Sequence, residues 1–436
     1  MLASCILALA VLSQASAPIV FLSPDDLVTP NNITLKAQLP QPGMTLLTKD
    51  PDRPKLWYAP VAAETLPDGA RIWYQRVNKD EKDFSDQRTL CIGEIRGGAW
   101  KPAPTSAEPP AWGGVNNVCL RRSPFKPTWG GFNVFQMVRN GENYSMLYWD
   151  QPDETGQAGA MLATSADGLH WDKRPGTVFT EYNDAYTLLP DNGNYLLYQT
   201  ALEDWPDKPY PDNLDKKRRV LTLRRSDDLK KWTPQEIFLK PDAQDPPETE
   251  FYLMKAFRYG GRVLGLIMKY YADPALPGKH SAILKYELVV SPDSLHWSRP
   301  FRNTDLGFWS YADPVVLGDT LHFVIWKDGG MNTVVYAPRR LTAACAGVRE
   351  GTFTTGPIST AKPAFTLDAN AKDGWIETTL LDDSGKPVRS APPKRIENTD
   401  NENITVEFSG ESGPGPYRLT IRMSNAKLFA VTPMAP

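Results

Sequence analysis

The sequence predicts an all-β fold: a five-bladed β-propeller followed by a small antiparallel β-sandwich. A turn motif, S-x-D-x-x-x-W, recurs at residues 165–171, 226–232 and 291–297. Its tryptophans lie 61 and 65 residues apart, an interval typical of one four-stranded sheet in a radial repeat. After Pro363 the pattern changes to short strands with period-two alternation, which favours a separate sandwich of antiparallel strands.

The motif has a structural explanation. The serine or aspartate side chain is expected to cap the backbone of a tight turn, and the tryptophan is expected to wedge between neighbouring sheets. A degenerate fourth copy ends at Trp100. Because a turn of this kind needs no catalysis, we interpret its acidic and histidine side chains as structural: Asp167, Asp228, Asp293, His170 and His296.

Each period contains an apolar strand, a glycine turn, an aromatic-rich strand and a hairpin that ends at the motif. The second period shows this order in residues 132–138, 140–141 and 144–149. Five such blades are predicted over about residues 45–358. The short strand near residues 19–22 is expected to join the ring or to pack beneath it.

A length of 436 residues is too great for one ordinary core, so two domains are expected. We assign residues 18–358 to the propeller and residues 359–436 to the sandwich, which either binds carbohydrate or buttresses the propeller. The net charge of −3 comes without a basic block, so neither nucleic acid nor an anionic membrane is an expected partner. An aromatic content of 11% suits surfaces that stack on sugar rings. We expect a monomer.

Residues 1–17 have the pattern of a secretory signal peptide, with an apolar core and small residues for cleavage, although no Lys or Arg precedes the core. A lipobox-like run at residues 2–5 makes a lipid anchor the minor alternative. No later apolar stretch is long enough for a transmembrane helix. The protein is therefore expected to be exported, to the periplasm or outside the cell.

Cysteine and histidine usage gives little indication of a metal site. Beyond residue 17 the chain contains Cys91, Cys119 and Cys345. Export permits a disulfide, for which Cys91 and Cys119 are the nearest pair, but whether they pair stays open. Neither Cys nor His has metal-ligand spacing, so no metal site and no cofactor are predicted, and nothing in the sequence indicates a structural calcium ion.

The first strand of each propeller blade lines the central axis, so polar residues where these strands begin are candidate site residues. Three neighbouring blades carry acids there: Asp184 after Asn183, Glu250 after Glu248, and Asp313. An unpaired carboxylate beside a channel is costly, so their clustering indicates function. The alternative is strand capping or an ion pair with Arg121, Arg122 or Lys255.

These residues match the requirements of glycoside hydrolysis, in which one carboxylic acid protonates the leaving oxygen and a second carboxylate activates water or attacks the sugar. Glu250 would be the general acid, and Asp184 or Asp313 the base. The expected separation of the carboxylates is that of an inverting enzyme, roughly 6.5–9.5 Å. The predicted substrate-binding residues are Trp129, Trp309, Glu248 and Asn183, although either tryptophan is equally compatible with a core position.

The chain resembles the five-bladed propeller glycosidases, the arabinanase, β-xylosidase and invertase relatives, and among them secreted bacterial invertase-like proteins with a C-terminal sandwich. The resemblance rests on residues 165–171, the asparagine pair 116–117 and residues 425–429. It implies a base Asp, a tuning Asp and an acid Glu on successive inner strands, a pattern that Asp184 and Glu250 match. Asp313-Pro resembles the Asp-Pro of arabinanase-type enzymes, but it lies in the last blade instead of the first.

Two functional hypotheses follow. The leading one is an exported glycoside hydrolase that acts on plant or algal polysaccharides or oligosaccharides. The second is a non-catalytic sugar-binding propeller at the cell surface, because the first blade has no clear acidic residue. A sialidase is a weaker third interpretation, since its turn motif has a different spacing and no arginine triad is evident in this sequence.

Overall fold

The computed structural model describes residues 17–110, 112–127, 131–180, 183–210, 214–272, 282–409 and 414–434. Within these ranges the protein is all-β, as predicted, and its helices are the short 3-10 helices Pro24–Asp26 and Phe84–Gln87. No helix in the described ranges is long and apolar enough to cross a membrane. The chain divides into two compact units: Leu39–Pro338, and Met1–Gln38 together with Arg339–Pro436. Residues 1–16 of the predicted signal peptide lie outside the described ranges.

The described residues of the larger unit form five antiparallel sheets in chain order. The first consists of Leu56–Leu66, Gly69–Asn78, Arg88–Arg96 and Ala99–Pro102, with Val118–Arg121 added to its third strand. The second consists of Asn133–Asn140, Asn143–Asp150, Gly159–Ser165 and Asp172–Lys173. The third consists of Tyr186–Asp191, Asn194–Asp204, Lys217–Ser226 and Glu236–Leu239. The fourth consists of Thr249–Tyr259, Arg262–Tyr271 and Ile283–Ser291.

The fifth sheet joins the two ends of this unit. It consists of Val315–Leu317, Thr320–Lys327 and Gly330–Tyr336, and its fourth strand is the N-terminal Gln41–Leu47. Gln41 lies opposite Val335 in an antiparallel register. One predicted alternative, in which the strand near residue 19 joins the ring, was wrong, because Ile19–Val20 pairs with Ala426–Pro433 in the other unit.

The first strands of four pairs of neighbouring sheets contact each other. Contacts join the first strand of the second sheet to those of the first and third sheets, the third to the fourth, and the fifth back to the first. Between the fourth and fifth sheets, the Lys255 ammonium donates to Asp313 just before the fifth sheet begins. Each of the five sheets is therefore linked to the next, and the fifth is linked back to the first.

The turn motif is built as the sequence predicted. Ser226 Oγ accepts the N–H of Leu229 at 2.9 Å, and Asp228 Oδ1 accepts the N–H groups of Lys230 and Lys231, each at 2.8 Å. The Lys231 and Lys230 N–H groups hold the pKa of Asp228 below its ordinary value. These hydrogen bonds to the ionised carboxylate stabilise the folded state. Their contribution is present above the pKa of an unfolded Asp and is lost as pH falls through the lowered pKa.

The other two copies repeat these bonds through Asp167 and Asp293. The rings of His170 and His296 also contact the Asp of their own turns, at 2.7 and 2.6 Å. The capping role predicted for the motif is therefore confirmed in all three copies.

The motif tryptophans pack between successive sheets, as predicted. Trp100 contacts the core shared by the fifth and first sheets, and Trp171 the core of the first and second. Trp232 contacts the core of the second and third sheets, and Trp297 that of the third and fourth. Each tryptophan thus fills the same kind of gap once per period.

We expect Ser226→Ala to lower the free energy of unfolding by about 1–2 kcal/mol, because the N–H of Leu229 loses its acceptor. Urea unfolding followed by tryptophan fluorescence measures the change. Asp227→Ala, one residue along and exposed, is the matched control and should leave the midpoint within error. Equal midpoints for Ser226→Ala and wild type would contradict the capping role.

In the part of the smaller unit that the structure describes, the strands form two sheets. One has the strand order Asp400–Glu407, Ala364–Asn370, Ala426–Pro433, Thr342–Ala346 and Thr34–Ala37, with Ile19–Val20 also on Ala426–Pro433. The other has the order Val28–Asn31, Gly351–Thr354, Arg418–Ser424, Trp375–Leu381 and Lys394–Glu397. One hydrophobic core includes side chains of both sheets, such as Leu367, Leu428, Ile376 and Ile421.

The boundary between the units differs from the one expected at residues 358 and 359. The strands Thr342–Ala346 and Gly351–Thr354 pair with C-terminal strands, so they belong to the smaller unit. Phe353, assigned to the fifth blade from the sequence, lies in the core of that unit. Both strands are short, and only their partners distinguish a blade strand from a strand of the other unit.

The described cysteines are free thiols, so the Cys91–Cys119 disulfide left open by the sequence is not formed. Cys91 lies within Arg88–Arg96 and faces Val118 across the sheet. Burial raises its pKa to about 11.

Candidate functional site

A cavity of about 730 Å³ lies within the larger unit. Residues of the first, second, fourth and fifth sheets and of the loop 307–311 form its wall. The aromatic side chains of this wall are Trp57, Tyr286, Phe308, Trp309, Tyr311 and Trp326. Among the described residues of the lining, the charged ones are Lys327 and Asp328. Aromatic faces combined with a few polar groups are typical of a site for a sugar-sized ligand.

Asp184 lies beside this cavity, directly before the strand Tyr186–Asp191. Its carboxylate accepts a 2.7 Å hydrogen bond from the side-chain amide of Asn133, which lines the cavity. Burial raises the pKa of Tyr311, another lining residue, and the nearby Asp184 charge raises it further. Two residues of the cavity wall thus interact with the Asp184 carboxylate.

Asp313 precedes the strand Val315–Leu317 and follows the cavity residue Tyr311 by two positions. It accepts hydrogen bonds from Lys255 at 2.8 Å and from the Gln136 amide at 2.9 Å. The Lys255 side chain is 1% exposed and that of Asp313 is 42% exposed. Burial lowers the pKa of Lys255, and Asp313 opposes this effect. The Lys255 ion pair foreseen as an alternative for these acids is therefore present, and it leaves Asp313 accessible.

One strand holds both carboxylates. Asn133 and Gln136 belong to Asn133–Asn140, and the pairing register of this strand shifts between Val134 and Gln136. In a regular strand, residues three positions apart point to opposite faces, and one extra residue in a bulge restores them to the same face. The irregularity explains how one strand provides an amide to Asp184 and another to Asp313.

Glu250 is fully buried and, like Asp184 and Asp313, is not one of the residues that line the cavity. Its carboxylate accepts hydrogen bonds from Lys208 at 3.0 Å, Tyr210 at 2.8 Å, and the Arg219 backbone and guanidinium at 2.9 and 2.7 Å. A general acid must carry a proton and reach the substrate, whereas this carboxylate is enclosed by cations. The geometry does not favour the general-acid role predicted for Glu250.

The remaining predicted residues have different positions. Trp309 lines the cavity and contacts Tyr311 at a centroid distance of 5.4 Å. Asn183 caps its own strand, since Oδ1 accepts the Ala185 N–H at 3.0 Å. Glu248 is partly buried in the segment before Thr249–Tyr259 and is absent from the cavity lining. The prediction for Trp129 falls outside the described residues.

Asn133, Gln136, Trp57 and Trp326 were not among the residues predicted from the sequence. The predicted catalytic residues are acids where first strands begin, and the second blade has no acid there. A polar amide inside the otherwise apolar run 132–138 was the available signal for Asn133 and Gln136. Nothing in the sequence separates the strand tryptophans Trp57 and Trp326 from ordinary core residues.

No protein-family model matches the chain, and no curated protein matches it significantly. Solved structures do resemble it. The Bombyx mori GH32 β-fructofuranosidase BmSUC1 has 12% identity, covers 91% of this chain and 94% of its own, and has a TM-score of 0.41. The RS223 β-xylosidase has 13% identity and a TM-score of 0.41, and covers 68% of this chain and 94% of its own.

A glycosyl hydrolase from Bacteroides ovatus has 15% identity and a TM-score of 0.40, with 74% of this chain and 97% of its own covered. At these identities and scores, function has to be argued from the site itself. Glycoside hydrolases are thus among the similar solved structures.

Proposed function

We propose that the chain is an exported glycoside hydrolase acting on plant or algal polysaccharides or oligosaccharides. Its five sheets would be the blades of a five-bladed propeller, and the smaller unit a β-sandwich. The observation that carries the proposal is the placement of Asp184 and Asp313, which one strand holds beside an aromatic cavity. The contacts that pass once round the five sheets support the propeller.

The two carboxylates are given different roles. The Lys255 ammonium stabilises negative charge on Asp313, which suits a base that activates water. The general acid then falls to Asp184, which would protonate the glycosidic oxygen as the bond to the anomeric carbon breaks. The water oxygen bonds to that carbon and its proton passes to Asp313. An inverting reaction with the carboxyl groups roughly 6.5–9.5 Å apart remains the prediction.

The proposal is tested with a panel of plant and algal oligosaccharides and reducing-sugar detection. We expect release from at least one member by wild type and a loss of release in the double variant Asp184→Asn/Asp313→Asn. Equal sugar release by wild type and the double variant would contradict the assignment of Asp184 and Asp313 to the active site. If wild type releases no sugar from any member, the enzyme proposal fails.

The alternative is a non-catalytic carbohydrate-binding protein. One observation favours it: the glutamate expected to be the general acid is enclosed by Lys208, Tyr210 and Arg219. Titration calorimetry against the same panel separates the two functions, since this alternative requires binding without any product.

A further inference from the structure

A second, smaller pocket of about 270 Å³ lies in the larger unit and is strongly basic. Four of its lining residues are cationic and none of the described ones is acidic: Lys79, Arg88, Arg122 and Lys126 are the cations. Phe84, Gln87, Pro127 and Gly131 complete the lining. The positive charges of these four lining residues repel one another, so the pocket favours an anionic ligand.

Arg122 is the central group of this pocket. The residue is 7% exposed, and its Nε is buried without a hydrogen-bond partner. Its guanidinium lies 3.7 Å from the centroid of the Phe84 ring, which fixes its plane. Burial lowers the pKa of Arg122. The negative charge of Asp150 opposes this decrease, and the positive charge of Arg88 adds to it. A buried guanidinium without a bonded counter-ion is costly in the free protein.

The carboxylates near Arg122 are hydrogen-bonded to groups other than its guanidinium. Arg121, the adjacent residue, donates to Asp86 at 2.7 Å and is much more exposed than Arg122. Asp150 is buried, and its two oxygens accept backbone N–H groups at 2.6 and 2.9 Å. The guanidinium of Arg122 therefore remains available to a ligand.

The basic pocket is connected to the proposed catalytic site through one side chain. Arg88 Nη1 donates to Asn133 Oδ1 at 3.2 Å, and Asn133 Nδ2 donates to Asp184 at 2.7 Å. The amide of Asn133 is thus oriented by Arg88 on one side and by Asp184 on the other. An anionic group in the pocket would lie one side chain away from the carboxylate that we assign to acid catalysis.

We propose that this pocket binds the oxyanion substituent of an acidic saccharide, such as a uronate carboxylate or a sulfate ester, with Arg122 as its main contact. The planar guanidinium presents paired donors to an oxyanion, and Lys126 adds a charge at the entrance. This inference rests on the proposed sugar-processing function, and it narrows the substrate class to acidic saccharides.

Calorimetry at constant ionic strength tests the inference with three probes: a galacturonate oligosaccharide, a sulfated oligosaccharide and inorganic phosphate. We expect wild type to bind at least one acidic saccharide, and Arg122→Met to weaken that binding about 10–100-fold through loss of a charged hydrogen bond. Arg121→Met is the matched control and should bind like wild type. Lys126→Met, at an exposed position, should weaken binding to a smaller degree and covers the case that Arg122→Met fails to fold.

The outcomes separate the two proposals. Equal affinity of Arg122→Met, Lys126→Met and wild type for every oxyanion would overturn the pocket. Binding of phosphate without binding of either saccharide would overturn its assignment to a substrate group. Because binding is measured without turnover, an inactive protein that still binds acidic saccharides through Arg122 would count against the hydrolase alone.

Discussion

Substituting Glu250 by glutamine is expected to lower the free energy of unfolding by about 3–5 kcal/mol. The carboxylate is the buried counter-ion of Lys208 and Arg219, whose side chains are each 4% exposed. The amide removes the negative charge and leaves two cations enclosed. Urea unfolding of wild type and variant, followed by circular dichroism, measures the difference.

Glu203→Gln is the matched control for this substitution. Glu203 also accepts from an arginine and a lysine, Arg218 and Lys240, but its side chain is 22% exposed and water can replace the lost contacts. A change below about 1 kcal/mol is expected there. Equal losses in the two variants would contradict the role of burial. A Glu250→Gln protein as stable as wild type would reopen the prediction that Glu250 is the general acid.

Asp184→Asn and Asp313→Asn are each expected to reduce kcat by about 10²–10⁴-fold, because each removes one partner in proton transfer. Initial rates on a substrate found in the oligosaccharide panel measure the loss. Thermal unfolding is recorded in parallel, since Asp313→Asn also leaves Lys255 facing a neutral amide. A folded variant with a lowered rate meets the expectation.

Asp319→Asn is the control for this pair. It makes the same chemical change in the exposed turn before Thr320–Lys327, in the sheet that Asp313 precedes. Its rate should match that of wild type. If Asp184→Asn and Asp313→Asn keep wild-type rates as well, the carboxylate pair is not catalytic.

The repeating part of the fold was predictable because its signals are local. Ser226, Asp228 and Trp232 lie within seven consecutive positions, and side-chain capping with a tryptophan wedge recurs wherever that spacing recurs. The strand Gln41–Leu47 was not predicted to close the fifth sheet. It contains Pro42 and Gly43, and its partner Gly330–Tyr336 is far away in the sequence.

For the candidate site, the sequence identified Asp184, Asp313 and Glu250 as acids where first strands begin. Their similar positions predicted a catalytic role for each of them. Only the tertiary structure separates them. Glu250 is enclosed by Lys208 and Arg219, whereas Asp313 has one cationic contact and remains accessible. The sequence by itself thus determined the all-β class, the period and the turn chemistry, which depend on neighbouring residues. The paired charges, the unit boundary and the basic pocket around Arg122 depend on contacts between distant residues, and the tertiary structure alone decided them.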